Sequence, residues 1–120
     1  MARYVSFFRY TAEAVGRMVD RPADRAEAAR GIIEAAGGRL ECFYWMFGSY
    51  DGLAIYEVPD AVMAGGVSLA VARTGLIERT ETHQLLDSQE ALGALEQAVG
   101  LAPAYRPPGA DWRDGYDALG

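Results

Sequence analysis

Four side chains that could carry out acid–base chemistry occur in this sequence as two close pairs. Tyr50 and Asp51 are adjacent in a glycine-bounded turn, whereas Glu81 and His83 are separated by one residue. Residues two apart share one face of a strand, so Glu81 would orient His83 as a general base or a metal ligand. Asp51 would act as a base or ligand at the mouth of a cleft, with Tyr50 donating a hydrogen bond. These four are the candidate catalytic residues.

Each pair also has a purely structural interpretation. Asp and Gly are ordinary turn residues, so Asp51 would accept hydrogen bonds from amides of its own turn while Tyr50 packs on the sheet edge. Arg79, Glu81 and His83 would lie on an exposed or interface strand, with an Arg–Glu pair and a solvent-facing imidazole. One histidine with one carboxylate is an incomplete metal site, so we expect no metal and no cofactor.

Composition and charge narrow the class of protein. The chain has 120 residues, of which 51% are hydrophobic, as expected for one domain with one core. With 11 basic and 17 acidic side chains the net charge is −6, which argues against nucleic acid as a partner. Apolar runs are too short for a membrane span, and the N-terminus lacks a signal-peptide layout. The single cysteine, Cys42, excludes an intrachain disulfide, and we expect a cytoplasmic protein without a membrane partner.

Apolar periodicity predicts the elements that position these residues. The strands are predicted over 4–10, 40–47, 53–58 and 77–86, and the helices from near Asp24 to 36, from Asp60 to near 73 and from Asp87 onward. Asp87 and Glu90 form a capping box at the start of the last helix. The order β-α-β-β-α-β plus a C-terminal helix is ferredoxin-like, an α+β fold with an antiparallel four-stranded sheet and helices on one face.

The second predicted strand is apolar on both of its faces. One face carries Leu40, Cys42, Tyr44 and Met46, and the other carries Phe43, Trp45 and Phe47. Helices can cover only one side of the sheet, and exposure of the Phe–Trp–Phe set in a monomer would be unfavourable. We therefore expect the chain to pair with itself, as a homodimer or a higher homo-oligomer.

In four segments of matching order and spacing, the sequence resembles the GYD domain family, which is named for its Gly-x-Tyr-Asp turn. The segments are 30–40, Phe43-Tyr44 through Gly48-Ser49-Tyr50-Asp51, 57–60 and 79–82. The resemblance spans residues 3 to about 86. It implies a dimeric α+β barrel, in which two ferredoxin-like sheets pack together, and it implies architecture more than activity. The chain departs from the family pattern at Gly65-Gly66, at His83 and in its additional C-terminal helix and tail.

These observations predict a GYD-like domain over residues 1–100 and an extended tail over 101–120. Tyr105, Trp112 and Tyr116 are candidate docking points in the tail. Two functions remain open, and neither decides whether the protein is an enzyme. One is a homo-oligomer that binds a small molecule, with or without catalysis, in a pocket between sheet and helices. The other is a non-catalytic assembly or protein-interaction module, which the doubly apolar sheet and the added helix and tail would serve.

Overall fold

The computed structural model describes residues 1–109. Its elements are β1 (Ala2–Tyr10), α1 (Ala12–Asp20), α2 (Arg25–Ala35), β2 (Arg39–Trp45), β3 (Gly52–Val58), α3 (Ala61–Ala72), β4 (Ile77–Leu85), α4 (Ser88–Leu101) and a 3-10 helix (Ala102–Ala104). The chain separates into one compact unit, Met1–Leu85, and a second that begins at Leu86. The division between domain and tail at residue 100 stays a prediction, and Trp112 and Tyr116 lie outside the described residues.

The first unit contains the antiparallel sheet, whose strands lie in the order β2-β3-β1-β4. Val5 of the central strand β1 pairs with Ile55 of β3 on one side and with His83 of β4 on the other. The ferredoxin-like α+β arrangement predicted from the sequence is therefore confirmed. Because side chains alternate along each strand, β1 supplies its even-numbered residues to one face and its odd-numbered residues to the other.

The core lies on the even-numbered face of β1, where α2 and α3 pack on the sheet. It consists of the following buried residues: Tyr4, Ile33, Ala36, Ala54, Tyr56, Val58 and Ala64. Val58 at the end of β3 is fully buried, and Tyr4 stacks on Tyr56 with 6.0 Å between ring centroids. These contacts fix which face of the sheet the helices cover.

Two helices, and not the single predicted one, connect β1 to β2. Thr11 caps α1, because its hydroxyl accepts a hydrogen bond from the amide of Ala14 at 3.1 Å. Asp24 caps α2 in the same way, through the amide of Ala26 at 2.9 Å. Pro22 lies between the two helices and not in the first turn of one. The helix predicted from near Asp24 to 36 corresponds to α2, whereas α1 was missed because the cap at Thr11 was overlooked.

A β-bulge in β2 changes which of its side chains face the helices. The register shifts between Leu40, which pairs with Tyr56, and Cys42, which pairs with Ile55. Leu40 and Phe43 consequently both lie on the helix side of the sheet and pack against the core. Two residues that strict alternation places on opposite faces thus share one face.

The prediction that Phe43, Trp45 and Phe47 form an outer apolar face was therefore wrong. Phe43 stacks on Phe8 of β1 with 5.4 Å between centroids, on the helix side. The strand ends at Trp45, and Phe47 lies in the following turn with 99% of its surface exposed. Of the apolar β2 residues, Cys42 and Tyr44 lie on the opposite face.

The second unit begins with the predicted capping box. The Asp87 carboxylate accepts from the amide of Glu90 at 2.8 Å, and the Glu90 carboxylate accepts from the amide of Asp87 at 3.0 Å. No residue of α4 is buried, and its apolar stripe of Leu92, Leu95 and Val99 is exposed. The chain then forms the 3-10 helix, which lies within the segment predicted as a tail. No helix in the described part of the chain has the length and apolar character needed to cross a membrane.

Candidate functional site

Hydrogen bonds connect the turn between β2 and β3 to strands β1 and β4. Arg9 of β1 donates hydrogen bonds to the carbonyl oxygens of Gly48 at 3.0 Å and Ser49 at 3.4 Å. Arg79 of β4 donates to the Ser49 carbonyl at 2.8 Å. Gly48 has φ of +140°, a conformation that other residues rarely adopt, which explains glycine at this position. Two guanidinium groups therefore hold the backbone of the turn in place.

The side chain of Tyr50 contacts β1 and β4, and that of Asp51 contacts β1. The Tyr50 ring lies 5.6 Å from the ring of Phe7, and the Arg79 guanidinium lies 4.6 Å from the Tyr50 centroid, a cation–π distance. The Asp51 carboxylate accepts a hydrogen bond from the amide of Tyr10 at 2.8 Å. The structural alternative expected this carboxylate to bond amides of its own turn, but its hydrogen bond is made to β1.

Asp51 also holds β1 through its backbone. Its amide donates to the carbonyl oxygen of Phe8 at 2.8 Å, and its own carbonyl accepts from the amide of Met46 at 2.8 Å. The β1–β4 register is irregular between Arg9 and Tyr10. The amide of Tyr10, at this irregularity, is the one that donates to the Asp51 carboxylate. The residue therefore closes the end of β1 with both side chain and backbone.

Glu81 and His83 lie on the sheet face away from the core. The Nε2 atom of His83 is 3.1 Å from a carboxylate oxygen of Glu81, and the two side chains are 58% and 51% exposed. Their partners across the β1–β4 pair are Phe7 and Val5, which belong to the odd-numbered face of β1. The predicted contact between the two residues is present, but it lies on the solvent-accessible side of β4.

A cavity of about 530 Å³ lies on the other side of the sheet, between the strands and helices α1, α2 and α3. This volume falls within the range of small-molecule sites. Most of its wall is apolar, and its larger side chains include Phe8, Met18, Ile32, Phe43, Val67 and Val71. None of the four candidate catalytic residues lines it, and a catalytic role for them stays a prediction. Sequence reasoning missed Met18 and its neighbours in the wall because it missed α1.

Three hydroxyl groups form a row across the sheet beside this cavity. The Ser6 hydroxyl is 2.8 Å from the Tyr56 hydroxyl on β3 and 2.8 Å from the Thr82 hydroxyl on β4. Ser6 and Tyr56 line the cavity. Two mutual hydrogen bonds use two of the three hydroxyl protons, which leaves one to donate to a further acceptor. A serine within the apolar run of β1 was the sequence signal for this row.

Two arginines supply the only charged side chains among the described residues that line the cavity. Arg17 of α1 is mostly exposed, and its guanidinium pairs with Glu13 at 2.9 Å. Arg25, the first residue of α2, has a buried Nε atom with no hydrogen-bond partner in the described part of the chain. Within residues 1–109, no three His, Cys, Asp or Glu side chains are placed to hold a metal ion.

The sequence model of the GYD domain matches residues 4–95, which include nearly all of the first unit and part of α4. The chain belongs to the GYD domain family. The resemblance found in the four sequence segments is thereby confirmed, and the Gly-x-Tyr-Asp turn of this family is the turn that Arg9 and Arg79 hold. No curated protein matches this GYD domain chain.

Three solved structures resemble this GYD domain protein at low sequence identity. TTHA0845 from Thermus thermophilus is 20% identical, with a TM-score of 0.49 over 73% of this chain and 96% of that one. FFRP-DM1 is 13% identical, with a TM-score of 0.45 over 72% and 100%. An uncharacterized NIPSNAP domain protein from Burkholderia xenovorans is 16% identical, with a TM-score of 0.43 over 73% and 95%. These values are too low to carry an argument about function.

Proposed function

We propose that this GYD domain protein binds a small, largely apolar molecule in the cavity between the sheet and helices α1, α2 and α3. The cavity of about 530 Å³ is the observation that carries the proposal. Small-molecule sites are typically apolar concavities with a few polar groups that fix orientation. Here the hydroxyl groups of Ser6 and Tyr56 and the side chain of Arg25, all from residues that line the cavity, are such groups. The proposal is one of binding without a named reaction, because none of the candidate catalytic residues lines the cavity.

A cavity-filling substitution tests this proposal. Ala29 of α2 lines the cavity, so Ala29→Phe would place a ring in the space a ligand needs, whereas Ala35→Phe adds the same ring at an exposed position of the same helix. N-phenyl-1-naphthylamine, an apolar dye that fluoresces in dry surroundings, serves as the probe. We expect saturable binding to the natural chain and to Ala35→Phe, with binding to Ala29→Phe lost. Equal binding by both variants, or no saturable binding by the natural chain, would contradict the proposal.

We also propose that the protein is a homodimer or a higher homo-oligomer that assembles through the sheet face away from the cavity. The middle of this face is apolar, with Phe7, Leu53, Ile55 and Tyr44. Its rim is charged, where Arg3 pairs with Glu41 at 2.8 Å and with Glu57 at 3.2 Å. An apolar centre with a polar rim is the usual anatomy of a protein interface.

Light scattering coupled to gel filtration tests the assembly. Tyr44 is 63% exposed, so Tyr44→Glu should cost the subunit little while placing a charge in the proposed interface. We expect this variant to be monomeric, and we expect Val19→Glu, at an exposed position of α1, to assemble as the natural chain does. A monomeric natural chain would refute the assembly. The proposal also includes a cytoplasmic location, which cell fractionation would check.

A second candidate function is a non-catalytic assembly module. It is favoured by α4, in which Leu92, Leu95 and Val99 form an exposed apolar stripe and no residue is buried. Such a stripe is typical of a helix that packs on a partner. Removal of the residues from Gly100 onward would reduce the oligomer size if the end of the chain takes part in assembly. An unchanged oligomer after this removal would argue against that role.

A further inference from the structure

The charge on the cavity wall is opposite to the charge of the chain. The chain carries 17 acidic and 11 basic side chains. The described residues that line the cavity nevertheless include Arg17 and Arg25 and no Asp or Glu. A carboxylate on a ligand would therefore meet cationic groups and no like charge in the wall.

Arg25 differs from Arg17 and Arg30 in lacking a carboxylate partner among the described residues. Arg17 pairs with Glu13 four residues earlier, and Arg30 pairs with Glu27 three residues earlier. Arg25 forms no ion pair with any described residue, and its Nε atom is buried without an acceptor. A carboxylate on a ligand would give the guanidinium group the ion-pair partner that the described residues do not supply.

The geometry of the guanidinium group restricts what that acceptor is. Its N–H groups form a planar fork that matches the two oxygens of a carboxylate. The remainder of the cavity is lined mainly by aliphatic and aromatic carbon, which suits an apolar ligand body. We propose that the ligand is an apolar monocarboxylate whose carboxylate pairs with Arg25. This inference rests on the proposed binding function and adds to it the chemical class of the ligand.

The test compares octanoate with 1-octanol, which share a hydrocarbon chain and differ in charge. Isothermal titration calorimetry with the full chain measures both affinities. A charge-assisted hydrogen bond contributes enough that octanoate should bind about ten to a hundred times more tightly than octanol. Arg25→Gln should abolish this preference, because a neutral amide does not distinguish a carboxylate from a hydroxyl by charge. Thermal unfolding followed by circular dichroism shows whether the variant has folded.

Arg30→Gln is the matched control, because it removes the same charge from the same helix at a position that does not line the cavity. We expect it to keep the preference for octanoate. Equal affinity for octanoate and octanol in the natural chain would overturn the ligand class and leave the binding function standing. A preference that survives Arg25→Gln, or is lost equally in Arg30→Gln, would also overturn it. Binding of neither compound would overturn the ligand class together with the binding function.

Discussion

Replacing Asp51 with alanine separates the structural role of the Gly-x-Tyr-Asp turn from a chemical one. The substitution removes the acceptor that holds the amide of Tyr10 at 2.8 Å. It keeps both backbone hydrogen bonds of residue 51, to Phe8 and from Met46. The turn should therefore persist while the end of β1 loses one contact.

The expected loss of stability follows from the type of hydrogen bond. A hydrogen bond to a charged group contributes about 1.5–3 kcal/mol, and the amide of Tyr10 would also be left without this partner. With about 2.1 cal/mol/K per residue, unfolding the chain involves about 0.25 kcal/mol/K, so each kcal/mol corresponds to about 4 °C. Asp51→Ala should therefore lower the melting temperature by about 6–12 °C. Asp51→Asn keeps an oxygen acceptor without the charge and should cost about half as much.

Thermal unfolding followed by circular dichroism measures these shifts, with Asp20→Ala as the control for net charge. Asp20 is exposed at the C-terminal end of α1, where a negative charge is unfavourable, so its removal should be neutral or slightly stabilising. Octanol affinity of Asp51→Ala, measured below its melting temperature, should equal that of the natural chain. Equal melting of the Asp51→Ala and Asp20→Ala variants would refute the reasoning. Lost octanol binding at unchanged stability would indicate a direct role of Asp51 in binding.

Three further predictions concern two core tyrosines, two glycines and the histidine. Tyr4→Phe should raise the free energy of unfolding, measured with urea, by about 1 kcal/mol, because the Tyr4 hydroxyl is buried with no partner among described residues. Tyr56→Phe should lower it by about 1 kcal/mol, because the 2.8 Å hydrogen bond between Tyr56 and Ser6 is lost. Gly38→Ala should lower the same free energy of unfolding by at least about 2 kcal/mol, because the new Cβ would lie 1.9 Å from a backbone oxygen of β3. Gly31→Ala should raise it by roughly 0.5–1 kcal/mol, because a Cβ at this position of α2 meets open space. His83→Ala should leave octanol affinity unchanged in calorimetry, because the imidazole lies on the sheet face away from the cavity; a weakened affinity would place it in the binding site.

Local sequence patterns predicted most of the elements correctly. The capping box joins Asp87 and Glu90, which are three residues apart. The order of strands and helices along the chain follows from local apolar periodicity. Both could be predicted because they depend on residues close together in the chain. The bulge after Leu40 could not be predicted, because it depends on how β2 pairs with a strand that follows it. Without the bulge, the predicted alternation of side chains was shifted by one residue, so Phe43 was assigned to the wrong face of the sheet.

The candidate site was harder to predict because its contacts join distant parts of the chain. Asp51 and the Tyr10 amide are 41 residues apart, and Ser6 and Thr82 are 76 residues apart. The composition of the turn suggested acid–base chemistry, but the partners of its polar groups depend on how the four strands are arranged in the sheet. Arg25 gave no sequence signal, since its distinction from Arg30 is the absence of a carboxylate neighbour in three dimensions.

The strand β1 connects the two proposed roles of the protein through the alternation of its side chains. Ser6 faces the cavity and takes part in the hydroxyl row, whereas Phe7 faces the opposite side and supports Tyr50 of the turn. The Asp51 hydrogen bond to Tyr10 fixes the end of the same strand. The Gly-x-Tyr-Asp turn therefore acts on the cavity only through the backbone of β1, because its own side chains lie elsewhere. A family signature that positions a strand in this way is compatible with different ligands in different members, since the cavity wall is built largely from helices outside the turn.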